Sequence, residues 1–439
     1  MNFKEFFDRY IRGWLPAEAK MQKHSSIKPI AAILFVFISF SLIVFLLISF
    51  MIATPTIGGL IEWDKTYGKD HIIEWGGPIV ESSDEGYVMA GGISSSWEDD
   101  GELLLAKIDE NGNMEWNKTY QGTSEVGNSL VATSDGGYAI AGSTKSSGLD
   151  YTDFLLIKTD SFGNIEWSQT YGKNNSDGAS SLVATSDGGY AIAGYTYPIS
   201  GWVEPNIIEF LLVKTDAYGN MEWNKTYGEV LIGLSGCLLI TTSDGGFALA
   251  GTRHSDDNLV FGLIKTDEKG NVQWNQTYGE KGLDYIARSI VMTSDGGYAV
   301  VGQTFSYGLD DDDFFLVKID AYGNMEWKQK YGDDGDDWEG GQSCVVSALD
   351  GGYLLAGITC PDESDDSDLF LVKTDEYGNM EWNQTYGGPG MDRPYFMIKT
   401  SDNKYVISGA TSISRDMGPD IWLIKIDEHG KALQPESEP

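Results

Sequence analysis

KTDSFGNIEWSQTYG (158–172) is the stretch on which the fold turns, because close copies of it run the length of the chain. Its tryptophan falls at Trp63, Trp116, Trp167, Trp223, Trp274, Trp327 and Trp382, at intervals of 53, 51, 56, 51, 53 and 55 residues. A degenerate copy, IDEHGKALQ, puts Gln434 at the tryptophan register 52 residues further on. Between successive tryptophans lies a second block, such as TSDGGYAIAGST (133–144). Its turn aspartate appears as Asp84, Asp135, Asp187, Asp244, Asp295, Asp350 and Asp402. Strand-rich repeats of this length indicate a propeller or a related array.

Each unit reads as four strands. SLVATS (129–134) ends in Asp135-Gly136-Gly137, which supplies the positive φ of a tight hairpin. GYAIAGST (137–144) alternates large and small residues, and DFLLIK (153–158) is apolar on both faces, as strands sandwiched between neighbouring sheets are. The turn Asp160-Ser161-Phe162-Gly163 then leads into NIEWSQT (164–170). No long 3.6-residue period intervenes, which excludes a helical repeat. The expected fold is all-β, a seven-bladed propeller of four-stranded blades over 58–435, with a tail at 436–439. Seven hairpin blocks face eight candidate outer strands, from LIEWDKTYG (60–68) to KALQ (431–434). The N-terminal strand is therefore expected to complete the last blade and leave the C-terminal copy redundant, hiding the open sheet edges.

Lys-Thr-Asp-x-x-Gly-Asn-x-Glu-Trp resembles the tryptophan-docking blade motif of quinoprotein-like propellers, one residue shorter at the turn. The resemblance implies that each indole wedges against the next blade. It does not carry cofactor binding, since the quinone-binding members have eight blades and a dedicated pocket. The pattern also resembles uncharacterised membrane-anchored repeat propellers of archaeal and bacterial surfaces.

The chain has 439 residues and a net charge of -36. That field repels nucleic acid. Three cysteines exclude a disulfide scaffold, and Cys237 reads as a core thiol. Residues 30–52 are 23 uncharged, mostly apolar residues, long enough to span a bilayer as one transmembrane helix. The stub at 1–29 has a net charge of +3 before the span, against -39 after it, so the N-terminus is expected in the cytoplasm and the propeller outside. Phe3, Phe6, Phe7, Tyr10, Ile11 and Trp14 give the stub a short amphipathic helix ending at Pro16. A linker at 53–57 follows the span.

Positions repeated in every blade read as structure. Lys107, Lys158, Lys214, Lys265, Lys318, Lys373 and Lys425 are expected to pair with carboxylates across strands. The aspartates two residues later are expected to bond turn amides. Function should lie where copies differ, in the connections from second to third strand and from one blade to the next, which share one face. These are acidic and carry four off-register tryptophans: Trp75 with Glu74, Trp97 with Glu98 and Asp99, Trp202 with Glu204, and Trp338 with Asp337 and Glu339. An indole beside carboxylates can stack on a sugar or hold a cation. Asp333, Asp334, Asp336 and Asp337 could supply oxygen ligands to calcium, although they do not match an EF-hand loop. Asn117, Asn174, Asn224, Asn275 and Asn383 head glycosylation sequons. The expected partners are the lipid bilayer, through 30–52, and an extracytoplasmic protein or glycan. A binding or scaffold module is the main expectation. The alternative is a glycoside hydrolase or lyase with its carboxylates in the central pocket. Outside the stub there are only three histidines, His71, His254 and His429, and no nucleophile motif.

Overall fold

The computed structural model describes residues 61–68, 73–94, 101–120, 127–145, 151–172, 175–198, 208–229, 237–255, 258–305, 313–331, 343–359, 367–388, 390–412 and 418–429. The expected span at 30–52, the stub and the KALQ copy lie outside them. Among the described residues no helix is long and apolar enough to cross a membrane.

The described chain forms seven antiparallel sheets. Blade 2 is representative, with strands Ser129–Ala132, Tyr138–Lys145, Thr152–Thr159 and Ile165–Tyr171 in sequence order from inside to outside. The hairpin between its first two strands is closed by Asp135, whose Oδ1 accepts from the Thr133 hydroxyl and the Gly137 N–H, while Gly136 sits at φ +84°. In blades 1 and 7 Glu85 and Asn403 take that left-handed position instead. The innermost strands contact one another in cyclic order, so the sheets stand round a ring.

Ring closure follows the expectation. The N-terminal strand Ile61–Tyr67 pairs with Asp420–Ile426 and becomes the outer strand of blade 7, beside Tyr405–Ser412 and Met391–Lys399. Blade 7 then meets blade 1 through Glu81, which accepts from the backbone N–H and hydroxyl of Ser401, and through the Ser408 hydroxyl on the Gly77 carbonyl. This joins residues more than 300 positions apart and leaves no broken seam in the ring.

The core is divided among the seams between blades. One cluster holds Leu103 and Leu105 of blade 1 against Leu130, Tyr138 and Ile140 of blade 2, and its counterparts recur round the ring. Both faces of the third strands are buried, as in Phe154, Leu155, Leu156 and Ile157. This explains their unbroken apolar runs. The open edges of the innermost strands are partly capped by serine: the Ser129 hydroxyl accepts from the Leu182 N–H at 3.0 Å, and Ser181 and Ser289 do the same for Leu239 and Val345 in the following blades.

The docking expected of the indoles is present. Gly163 in the blade 2 turn takes φ +73°, and a Cβ there would come within 2.9 Å of the Trp116 ring of blade 1. The same close approach sets Trp63, Trp167, Trp223, Trp274 and Trp327 on the turn of the next blade. A second lock accompanies it. Tyr67, Tyr120, Tyr171, Tyr227, Tyr278 and Tyr331 each donate a hydroxyl hydrogen bond of 2.6–2.8 Å to that glycine's carbonyl. Tyr386 is the seventh member. The corresponding Gly430 lies outside the described residues.

Candidate functional site

The ring has two unlike faces. On the turn face, every third-strand lysine is buried and neutralised. Lys158 Nζ lies 2.9 Å from both Asp135 and Glu166, and Lys214 lies 2.8 Å from Asp187 and 3.0 Å from Glu222. In blade 4 Gln273 replaces the glutamate and accepts from Lys265 at 2.9 Å. Burial opposes ionisation of Asp187, but hydrogen bonds from Lys214, Thr185 and the Gly189 N–H outweigh it and hold the carboxyl at about 2. The aspartate two residues after each lysine organises the turn: Asp160 accepts from the backbone N–H groups of Phe162 and Asn164 and from the Asn164 side chain. Both expectations for the repeated Lys and Asp positions therefore hold, and these groups are occupied by the fold.

The opposite face carries the variable connections. Its described strand ends show groups present in only some blades. Asp177, Asp284 and Asp392 stand six residues after Tyr171, Tyr278 and Tyr386 and are buried. Asp284 accepts from the Leu259 N–H at 2.7 Å, and Asp392 from the Gly388 N–H at 2.8 Å. Asp284 and Asp392 thereby pin the crossings between blades. Asp337 stands at the same distance after Tyr331 in the sequence. Asp64 accepts from the Trp422 indole at 2.7 Å; burial raises its carboxyl pKa against that bond, and Asp392 adds to the rise.

Arginine is used differently from lysine. Arg253 in blade 4 is 9% exposed and stacks 5.4 Å from the Phe210 ring of blade 3, while its Nη1 donates to Asn275 Oδ1 at 2.9 Å. Gly262 makes the room: a Cβ there would meet Arg253 Nε at 2.5 Å, and the other blades carry Leu, Phe or Trp at this register. Burial lowers the Arg253 pKa. Arg288 lies on the innermost strand of blade 5 and donates to Gln303 Oε1.

The predicted ligand residues distribute as follows. Trp75 and Glu74 belong to a strand, Ile73–Trp75, paired with Tyr87–Ser94, and not to a connecting loop as expected. The innermost strand of blade 1 is split there into Ile73–Trp75 and Ile79–Glu81, and a Cβ on Gly76 or Gly77 between them would meet the Gly409 or Ala90 carbonyl. Trp97, Glu98 and Asp99 fall in the second-to-third-strand connection of blade 1, and Trp202 and Glu204 in that of blade 3. Asp333, Asp334, Asp336, Asp337, Trp338 and Glu339 fall between blades 5 and 6. All of these, with Asn174, lie outside the described residues, but the strands flanking them open onto one face. Among the described residues no group of three or more potential ligands could hold a metal ion. Asn117, Asn224, Asn275 and Asn383 are exposed on outer strands. Cys237 and Cys344 are buried free thiols, and burial pushes Cys344 up to about 12.

Sequence reasoning missed the Arg253–Gly262 exchange, whose signal is a glycine where six copies carry a large apolar residue. It also missed the third position of each turn, where Phe162, Tyr218, Tyr322 and Tyr377 are exposed.

No protein-family model and no curated protein matches the chain. Solved structures do. The chain is similar to the BP39L lectin from Burkholderia pseudomallei at 6% identity and TM-score 0.57, over 84% of this chain and 99% of the lectin. It is also similar to the polysaccharide lyase Uly1 at 11% identity and TM-score 0.51, over 84% of this chain and 99% of the lyase. At such identities the likeness shows the propeller fold alone.

Proposed function

We propose that the protein is a membrane-anchored, extracytoplasmic binding or scaffold module that presents its loop face to a glycan or protein. The observation that carries this reading is the sorting of side chains. The repeated lysines and aspartates of the turn face are consumed by the fold, whereas the off-register residues Trp97, Trp202 and Trp338, with their carboxylates, belong to connections that open on the other face. Carboxylates beside an indole suit hydroxyl-rich or cationic ligands. The chain outside the stub carries 63 acidic against 24 basic residues, which adds a field that favours cations and disfavours nucleic acid. The apolar run 30–52, with the positive stub before it, supports the anchor and its orientation.

Binding is favoured over catalysis by what the described loop-face carboxylates do. Asp284 and Asp392 accept from backbone N–H groups and stay committed to the crossings, where a catalytic acid and base need to face a substrate. The test is capture on glycan and peptide arrays by the detergent-solubilised full chain, with and without calcium. A specific ligand whose capture is lost in Trp97→Ala or Trp338→Ala is expected. Turnover of a glycan would overturn the reading in favour of a hydrolase or lyase.

A further inference from the structure

The third position of the seven turns holds Asn111, Phe162, Tyr218, Lys269, Tyr322, Tyr377 and His429. The turn itself is closed through the backbone of this position. The N–H of Phe162, Tyr218, Lys269, Tyr322 and Tyr377 donates to the turn aspartate whatever the side chain is. Yet four copies carry an aromatic ring, and the residues are 67% exposed at Phe162, 75% at Tyr218, 79% at Tyr322 and 64% at Tyr377. Three residues on in the same copies stand Ile165, Met221, Met325 and Met380, also exposed. These exposed apolar side chains share one face of the ring, one pair to a blade. Equivalent turns of a closed ring end at one level, and these four belong to blades 2, 3, 5 and 6. Rings spread in this way cannot converge on one small ligand. They can all meet an extended flat surface.

The point of chain entry identifies that surface. Ile61 pairs with Ile426, the residue before the Asp427 turn, just as Ile165 pairs with Thr159 before the Asp160 turn. The chain therefore enters the ring at the turn face. Eight residues, 53–60, separate the apolar run from Ile61. Fully extended they reach at most about 29 Å. The loop face lies a strand's length beyond, about 23 Å for seven residues.

We propose that the turn face rests on the bilayer that holds residues 30–52, with Phe162, Tyr218, Tyr322 and Tyr377 at headgroup level. This inference rests on the anchored reading above. Amphipathic aromatic rings favour that zone, and the tether supplies the effective concentration that four weak contacts need. The acidic chain favours uncharged over anionic headgroups. The loop face is then directed away from the membrane, toward its ligand.

The test uses the full chain in phosphatidylcholine vesicles with Cys360→Ser, since Cys237 and Cys344 are buried. Single fluorophores at Lys269→Cys and Lys281→Cys report the two ends of blade 4, both exposed sites. Headgroup-nitroxide lipid is expected to quench the label at 269 several-fold more than that at 281. The triple variant Tyr218→Ser/Tyr322→Ser/Tyr377→Ser is expected to bring the signal at 269 down toward that at 281 without lowering the unfolding midpoint. Equal quenching at both sites, or no response to the triple variant, would overturn the proposal. Protein washed from the vesicles by high salt would instead overturn the anchor itself.

Discussion

The two faces of the ring are built from opposite ends of the same strands, yet one is nearly constant and the other varies. On the turn face, Asp135 with Lys158 and Glu166 recurs as Asp187 with Lys214 and Glu222, and again as Asp295 with Lys318 and Glu326. On the loop face, the segment between flanking strands runs from two residues after Ser255 to twelve after Tyr331. A buried lysine needs its counter-charges in every blade, because an unpaired buried ammonium is costly. A connection on the rim carries no such demand. Uniformity across copies therefore marks what folding requires, and departure from it marks where residues are free to serve something else.

The sharpest way to break the turn face is at its closure. Trp63→Ala removes the indole that joins the N-terminal strand of blade 7 to the turn of blade 1, where it is 9% exposed and donates to the Glu110 carbonyl at 2.8 Å. The expected loss is about 3–5 kcal/mol, read as a lowered urea midpoint. Unlike the same change in an inner blade, it acts where blade 7 meets blade 1, beside the Ser401–Glu81 and Ser408–Gly77 bonds that also hold that seam. An unchanged midpoint would mean that closure does not depend on this contact.

Acid and alkali act on the same face from two directions. Asp84, Asp135, Asp187, Asp244, Asp295 and Asp402 are held at about 2, below the ordinary 3.8. A depressed carboxylate contributes stability above its ordinary value and loses it as pH falls toward the folded value, so the melting temperature is expected to fall between about pH 4 and pH 2. Burial, with nearby carboxylates, pushes Tyr138, Tyr298, Tyr353 and Tyr405 up to about 12. Raised groups contribute below their ordinary value, so stability should decline again from about pH 10 toward pH 12. Asp187→Asn leaves Lys214 with one carboxylate and should cost about 1–3 kcal/mol while flattening the acid limb. An unaltered acid limb in that variant would show that other groups carry it.

How far the sequence went follows the same division. The repeat spelled out the four-stranded blade, the borrowed outer strand Ile61–Tyr67 and the Lys–carboxylate pairing, because each rests on identical residues at matching registers. Trp75 was misplaced because an indole off the repeat register was assigned to a connection, whereas it belongs to the strand Ile73–Trp75 paired with Tyr87–Ser94. Arg253 was invisible because its role depends on Gly262 across the hairpin, and Phe162 because exposure is not encoded in a turn signature. Both belong to three-dimensional neighbourhoods that no single copy displays.

A milder perturbation of the turn face is Tyr227→Phe, which deletes a buried hydroxyl donating to the Gly270 carbonyl at 2.8 Å. It should cost about 1 kcal/mol. Because the ring stays in place, the indole of Trp223 remains docked and the native fluorescence spectrum should not move. A loss several times larger would show that the hydroxyl, and not the indole, positions the seam.

The smallest expected effect on stability is the most telling for function. Trp97→Ala and Trp338→Ala lie in connections that no repeated position requires, so each should change stability by less than about 0.5 kcal/mol, as surface substitutions do. If these indoles serve a ligand, capture by the full chain should fall while the unfolding midpoint stays fixed, which is the reverse of the pattern for Trp63→Ala. If instead they cap blade ends, stability should fall and capture of any ligand should fall only in proportion. Measuring both quantities on the same two variants separates an indole held by the fold from one held for a partner. Trp202→Ala then serves as an independent third point, because its connection leaves a different blade.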